Sequence, residues 1–320
     1  MVSCLEADPS VGSDRDAEPG QAELLEGAPV ALGGPRGMGV IRTLPNRQRR
    51  TVGAWCFLDA YGPHDLTGSA GMRVGPHPHI GLQTVSWLVS GEILHRDSLG
   101  SAQQIRPRQL NLMTAGRGIS HSEETPAEHT PVLQGVQLWV ALPDRDRAVA
   151  PAFDTHADLP VVADGGLAAT ILMGTLDGVT SPAKAYTPLV GAEIVVAAGS
   201  DSRLRLQTDF EYAVLALDGA PIVDGTTLKP GPLLYLGTGR TSLRLAAGSA
   251  ARVLLLGGEP FEERLVMWWN FVARDHDEIV QARAEWESGS GFGTVHGYDG
   301  PAIPAPPMPI TRLVPRGRVR

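Results

Sequence analysis

The sequence predicts an all-β chain built as two similar β domains and closed by one short helix. The composition, with Gly 38, Pro 26 and only 19% charged residues, indicates many turns between short apolar runs. Short segments of β-branched and aromatic residues also recur in two blocks, 36–150 and 151–272. A chain of 320 residues is long enough for two domains of ordinary size. We therefore expect a duplicated β-sandwich.

The first block reads as strands separated by polar turns. Its predicted strands are 39–44, 51–58, 84–89, 92–96, 109–113 and 135–142. Gly116 and Gly118 predict a sharp bend ahead of residue 121, because glycine adopts backbone angles that are unfavourable for other residues.

The second block also consists of short predicted strands separated by turns. These strands are 167–173, 193–196, 204–206, 212–217, 233–236, 241–245 and 252–256. Between Ala157 and Asp275 the chain has neither His nor Cys. This block therefore has no imidazole or thiolate for a metal site, and we expect it to act as a packing partner and scaffold.

The C-terminal region, 273–320, predicts a helix followed by a proline-rich strap. Ile279, Ala282 and Trp286 recur at helical spacing, and Asp275 with Glu278 resembles a capping box. His276 lies beside carboxylates, but a charged first helical turn explains it better than a metal site does.

The ends and the charge of the chain exclude several classes of protein. Residues 1–35 are rich in Gly, Pro and acidic residues and lack the pattern of a signal peptide, so we expect a loose acidic tail and a cytoplasmic protein. No apolar run approaches the roughly 18 residues that span a bilayer. Cys4 and Cys56 are too few for a disulfide framework. The net charge of −8, with no basic block before 312–320, argues against direct nucleic-acid binding.

Two pairs of metal-competent side chains stand out in the first block: His77 with His79, and His121 with Glu123. On an extended strand, residues i and i+2 project from the same face, so each pair presents two donors to one side. One His-x-His pair among nine histidines is a weak signal, but the second pair strengthens it. Four such donors suit iron, manganese, nickel, copper or zinc, and donor type alone does not choose among them.

Longer segments resemble the pirin family of the cupin superfamily. They are PHPHIGLQTV at 76–85, LHRDSLG at 94–100, MTAGRGISHSE at 113–123 and QLWV at 137–140, with GGEP at 257–260 and WWNFV at 268–272. The resemblance extends from about residue 42 to residue 293. It implies a bicupin, that is, two antiparallel jelly-roll β-sandwich domains with a short C-terminal helix. It also implies one divalent metal ion, with Fe(II) as the favoured metal, held by His77, His79, His121 and Glu123.

The resemblance implies two kinds of function. Bacterial pirin-like proteins are associated with quercetin 2,3-dioxygenase activity, which would make a small aromatic substrate and dioxygen the partners and Glu123 the candidate catalytic base. Animal pirins are described as non-catalytic, iron-dependent transcriptional co-regulators, which would imply a protein partner. A third, weaker alternative is an isomerase or hydrolase that reuses the same pocket.

Two positions depart from the family pattern. Gln83 stands where the family has a Glu. Either the change weakens or redirects catalysis and leaves metal binding largely intact, or Gln83 simply hydrogen-bonds a ligand or water. Arg108 lies in a Pro-Arg-Gln segment where a Pro-Gly-Asp turn is usual, so the turn there is expected to differ in shape.

The remaining His and Cys residues receive structural interpretations. His95 is expected to pair with Asp97 or a backbone group rather than to act as a fifth ligand. His64, His129, His156 and His296 are interpreted as surface residues, and Cys56 as a small buried core residue.

Overall fold

A computed structural model of the chain describes residues 22–32 and 38–319, and within them it contains β-strands and one α-helix. The elements are, in chain order, β1 Glu23–Leu25, β2 Ala28–Leu32, β3 Met38–Leu44, β4 Trp55–Asp65, β5 Arg73–His79, β6 Leu82–Ser90, β7 Ile93–Asp97, β8 Ala102–Ile105, β9 Leu110–Thr114, β10 Ile119–Glu124, β11 Val132–Ala141, β12 Ala152–His156, β13 Val161–Asp164, β14 Leu167–Leu176, β15 Val179–Thr180, β16 Leu189–Val196, β17 Ser200–Arg205, β18 Glu211–Asp218, β19 Ile222–Val223, β20 Thr226–Thr227, β21 Leu233–Gly237, β22 Ser242–Ala247, β23 Ala251–Gly258, β24 Val266–Trp268, β25 Phe271–Ala273 and α1 His276–Glu287.

The first sandwich packs a seven-stranded antiparallel sheet, in the order β12-β9-β6-β11-β4-β3-β2, against a four-stranded sheet in the order β5-β10-β7-β8. Apolar side chains from both sheets meet between them, among them Tyr61 and Leu88 from the larger sheet and Val74 and Ile93 from the smaller. Strand β12 belongs to this sandwich, so the first sandwich extends past the predicted boundary at residue 150.

The second sandwich repeats the arrangement. Its large sheet has the order β1-β21-β18-β23-β16-β14-β13, with β15 paired to β14, and its small sheet has the order β17-β22-β19-β20. Ile171 and Ile194 of the large sheet share a core with Leu204 and Leu243 of the small one. The prediction of an all-β chain with two antiparallel sandwiches and a short C-terminal helix is confirmed.

A shared core joins the large sheets of the two sandwiches. The fully buried Trp55 of β4 donates its indole N–H to the carbonyl of Val190 at 3.0 Å and lies 3.2 Å from that of Gly257. The buried carboxylate of Glu211 accepts a hydrogen bond from the backbone N–H of Gly53 at 2.7 Å. These polar contacts in an apolar interface fix the orientation of one sandwich relative to the other.

The N-terminal segment corrects the expectation of a loose tail up to residue 35. Strand β1 pairs with β21 of the second sandwich, and β2 pairs with β3 of the first. Leu25 is fully buried. Composition alone predicts disorder, but each strand adds to the edge of a sheet, which pairs the N–H and C=O groups that face its partner strand. The rest of the predicted tail, 1–21 and 33–35, lies outside the described residues.

The predicted C-terminal helix is present as α1. The Asp275 carboxylate caps it by accepting from the N–H groups of Asp277 at 2.8 Å and Glu278 at 3.0 Å. The Glu278 side chain accepts from the N–H of Arg274, one residue before the cap, so the capping box is offset. His276 accepts a hydrogen bond from the N–H of Leu313 in the strap, which agrees with its structural interpretation. No helix among the described residues is long and apolar enough to cross a membrane.

Trp55→Phe tests the contact between the sandwiches. The substitution removes the indole donor from two buried carbonyls, so we expect the free energy of unfolding to fall by about 2 kcal/mol, measured by urea denaturation. Trp286→Phe is the matched control, because the indole of the half-buried Trp286 donates to one backbone carbonyl, that of Ile303, away from the contact between the sandwiches. Equal losses in the two variants would contradict a special role for Trp55.

Candidate metal centre

The predicted donor pairs lie on neighbouring strands of the small sheet in the first sandwich. Strands β5 and β10 pair antiparallel, with His121 directly opposite His77. A shift in register between His121 and Glu123 places Glu123 opposite Val74. Such an irregularity re-aims the side chains that follow it. On its other edge β10 pairs with β7, which places Glu123 opposite His95.

Three buried imidazoles converge at this pairing. The ring centroids of His77 and His121 are 4.3 Å apart, and that of His79 is 5.0 Å from each of them. The Nε2 atoms of His79 and His121 are separated by 3.1 Å. One ring nitrogen from each of the three residues falls within a group no wider than 4.8 Å, which is close enough to hold one metal ion.

Two of these imidazoles have their orientation fixed by backbone carbonyls. His77 places Nδ1 2.9 Å from the carbonyl oxygen of Gly75, and His79 places Nδ1 3.0 Å from that of Asn270. A carbonyl oxygen only accepts hydrogen bonds, so each Nδ1 carries the hydrogen and each Nε2 keeps a lone pair. This is the arrangement in which histidine binds a metal through Nε2.

The electrostatics of the cluster suit a cation. Burial lowers the pKa of His77 to about 4 and brings the pKa values of His79 and His121 well below their ordinary range, with neighbouring imidazoles adding to the shift. The rings are therefore neutral near pH 7, as metal ligands must be. The donor chemistry thus fits a metal ion.

Glu123 contributes a buried carboxylate to the same space. Its Oε1 lies 3.4 Å from the Gln137 amide nitrogen, and Gln137 in turn accepts a hydrogen bond from the hydroxyl of Ser86 at 2.8 Å. Burial raises the pKa of the Glu123 carboxyl. A carboxylate oxygen of Glu123 lies within 4.8 Å of a ring nitrogen of His95 and of His121, and ring nitrogens of His77, His79 and His121 form a second group of the same width. His121 is therefore shared by both groups.

A cavity of about 360 Å³ borders the donors, with His77, His79 and Glu123 in its lining. Its walls include the stacked rings of Phe57 and Trp139, whose centroids are 4.0 Å apart. Its rim includes Val30 of β2, and residues Trp269 and Asn270 of the β24–β25 turn. Such walls suit a planar aromatic guest next to the metal-competent side chains.

A cation also lines the cavity. The Arg42 guanidinium lies 4.4 Å from the centre of the Phe57 ring and binds the fully buried Asp59 carboxylate through two hydrogen bonds of 2.8 and 2.7 Å. Sequence reasoning did not single out Arg42, since a period-two pattern does not reveal which of the strand side chains enter a cavity.

His95 is buried beside the cluster. Its Nε2 lies 3.2 Å from a carboxylate oxygen of Asp97, which confirms the predicted partner, and its Nδ1 lies 3.3 Å from Nδ1 of His121. Its ring stacks on Phe153 with the centroids 4.2 Å apart.

Gln83 does not lie at the candidate centre, which corrects both alternatives given for it, an effect on catalysis there and a hydrogen bond to a ligand or water there. Its amide donates to the Thr114 hydroxyl at 3.0 Å and to the carbonyl of Lys184, in the second block, at 3.1 Å. Alternate residues of a strand point to opposite faces, and Ser86 of the same strand faces the Glu123 side. Gln83 therefore faces the second sandwich, and a Glu at this position would not add a base to the pocket.

Arg108, Cys56 and the remaining predicted surface histidines lie outside the candidate centre. Arg108 adopts a φ of 67°, so an arginine occupies the left-handed position in a turn where glycine is favoured. Cys56 is fully buried and burial raises the pKa of its thiol to about 12, in agreement with its interpretation as a core residue. His296 is exposed, whereas His64, His129 and His156 are partly buried.

The fold and the buried donor cluster define a two-domain, cupin-type protein with a candidate metal centre in its first domain. The Pirin family profile matches residues 37–140, and that of the Pirin C-terminal cupin domain matches residues 191–293. The chain therefore belongs to the pirin family.

Similar proteins and solved structures agree with this family assignment. The Pseudomonas aeruginosa protein named "Putative quercetin 2,3-dioxygenase PA1205" is 46% identical, over 93% of this chain and 95% of its own. A pirin-like protein of Caulobacter vibrioides is 39% identical, over 78% of this chain and 88% of its own. The crystal structure of a quercetin 2,3-dioxygenase from Acinetobacter baumannii superposes with a TM-score of 0.87 at 43% identity, covering 91% of this chain and 96% of that one.

Gln83→Glu tests the corrected placement of this residue. The change removes the amide donor and sets a carboxyl against two buried oxygen acceptors, so we expect a loss of about 2 kcal/mol at pH 7 in urea denaturation. The deficit should shrink as the pH falls, because a protonated Glu can donate a hydrogen bond and its folded-state pKa is raised. Gln134→Glu is the control, since the half-buried Gln134 also donates to a backbone carbonyl, that of Leu217. A Gln83→Glu protein with wild-type stability would show the placement to be wrong.

Proposed function

We propose that this chain is a metal-dependent dioxygenase that opens the central ring of a flavonol such as quercetin, with His77, His79, His121 and Glu123 holding the ion. The observation that carries the proposal is a cluster of three neutral imidazoles, His77, His79 and His121. Two of them, His77 and His79, line an aromatic-walled cavity of about 360 Å³ together with the buried carboxylate of Glu123. The names of the Pseudomonas and Acinetobacter relatives support the same activity.

The donor set is compatible with Fe(II), which the family resemblance favours, and also with manganese, nickel, copper or zinc. When bound, the ion would supply a positive charge that stabilises the deprotonated 3-oxygen of the flavonol, and Fe(II) would also supply a redox centre for the reaction with dioxygen. The carbonyls of Gly75 and Asn270 fix the rings of His77 and His79 in advance. Little ordering of these two rings therefore remains when the ion binds.

Glu123 is the proposed proton acceptor. Gln137 holds one of its carboxylate oxygens, and the carboxylate borders the cavity where the flavonol 3-hydroxyl would lie. Phe57, Trp139 and Trp269 would orient the flat rings of the substrate by stacking and edge contacts. Their apolar surface keeps water away from the reacting atoms. Both atoms of dioxygen enter the opened product, and carbon monoxide is released.

The alternative, a non-catalytic pirin whose metal state alters binding of a protein partner, would use the same donors. It differs in one measurable respect, since it requires metal binding without turnover of a flavonol. The two functions are therefore separated by one assay on metal-loaded protein.

For the assay, full-length protein reconstituted anaerobically with Fe(II) is mixed with quercetin and then exposed to oxygen. We expect the visible absorbance of the flavonol to decay, with about one carbon monoxide released per quercetin consumed. Metal-free protein is the control and should leave the absorbance unchanged. Fully loaded protein that does not consume quercetin would contradict the dioxygenase and favour the regulatory alternative.

His121→Ala tests the ligand assignment independently of activity. Because His121 belongs to both donor groups, its loss should lower metal affinity at least about 10-fold and abolish quercetin turnover. Metal content by elemental analysis after dialysis against a chelator is the readout. His296→Ala, which alters an exposed histidine, should keep the wild-type content of about one ion per chain. Unchanged metal in His121→Ala would refute the assignment.

A further inference from the structure

We infer that His95 is a positioning residue for the metal centre: it accepts the Nδ1–H of His121 and donates its own Nε2–H to Asp97, so that His121 presents Nε2 to the ion. The inference rests on the proposed metal site and adds residues that do not touch the ion.

The ring of His121 is held differently from those of the other two histidines. Nδ1 of His77 and of His79 each faces a backbone carbonyl. In the described part of the chain, the hydrogen-bond neighbours of the His121 ring are imidazoles: Nε2 lies 3.1 Å from His79 and Nδ1 lies 3.3 Å from His95. The tautomer of His121 therefore depends on His95.

The carboxylate of Asp97 sets the direction of the hydrogen bonds between His121, His95 and Asp97. This carboxylate only accepts, so Nε2 of His95, at 3.2 Å, must carry the hydrogen. Nδ1 of a neutral His95 then holds a lone pair and accepts from Nδ1–H of His121, which leaves a lone pair on Nε2 of His121. The opposite direction would require either a protonated His95 or a lone pair of His95 facing the buried carboxylate, and in both cases Nε2 of His121 would direct a hydrogen at the ion.

Asp97 and His95 are both held rigidly. The second carboxylate oxygen of Asp97 accepts from the backbone N–H groups of Leu99 at 2.9 Å and Ser101 at 3.0 Å, and the side chain is fully buried. The ring of His95 is stacked nearly parallel on Phe153, with an interplanar angle of 11°. Asp97 is thus an anchor, and His95 has little freedom to turn.

The same contacts argue against His95 as a ligand. An ion held by His95, His121 and Glu123 would need Nδ1 of His121, whereas the group with His77 and His79 meets Nε2 of His121. Both nitrogens of His95 already have partners. His95 therefore contacts the ligand His121 and not the ion. The Asp97 carboxylate, at the end of this series of hydrogen bonds, makes His121 a stronger donor to the metal.

The test compares full-length wild type with His95→Phe and His95→Asn, using Co²⁺ alone as the probe. Phenylalanine keeps the stacking on Phe153 and removes the acceptor, so Co²⁺ affinity should fall about 10- to 100-fold and the visible absorption bands of the bound ion should shift. Asparagine places an amide oxygen near the former Nδ1, so it should restore most of the affinity and the wild-type spectrum. His296→Phe is the surface control.

Three results would overturn the inference. Wild-type affinity and spectrum in His95→Phe would show that His121 needs no acceptor. Equal losses in His95→Phe and His95→Asn would show that the acceptor is not what His95 supplies. A wild-type chain that binds no Co²⁺ would overturn the metal site itself and the inference with it, which distinguishes failure of the proposed function from failure of the positioning role alone.

Discussion

The antiparallel pairing of β5 with β10 is the constraint on which the candidate centre depends. It sets His121 opposite His77, and the i, i+2 spacing then brings His79 to the same face. Moving the pairing by one residue would turn one of the two donor pairs to the opposite face. The register shift after His121 carries Glu123 into the same cavity. Backbone hydrogen bonds between two strands thus assemble the donors before any ion is present.

The rest of the molecule supports that pairing. The β24–β25 turn supplies the Asn270 carbonyl that orients His79, and the chain reaches this turn only after completing the second sandwich. Gly81, with a φ of 70°, lets the carbonyl of Val272 approach so closely that a Cβ would lie 2.0 Å from its oxygen. The second sandwich, which lacks His and Cys, therefore contributes to the site by holding the segment that closes it.

Local patterns predicted much of this molecule. The i, i+2 pairs identified candidate donors. Short β-branched and aromatic segments predicted many of the strands, and helical spacing after Asp275 predicted the one helix of the described residues. Contacts between distant segments could not be predicted in this way. The partner of His79 is 191 residues further along the chain, and β1 is stabilised by an edge of the other sandwich. The face of the sheet that Gln83 occupies depends on strand register. The family pattern gives the residue type usual at that position but not the face on which it lies.

The most direct measurement is an anomalous-difference map, collected at the iron absorption edge, from crystals of the chain loaded with Fe(II). The account predicts one peak in the first sandwich, in contact with Nε2 of His77, His79 and His121 and with the carboxylate of Glu123. A peak that contacts His95 directly, or one outside the β5–β10 pairing, would contradict it.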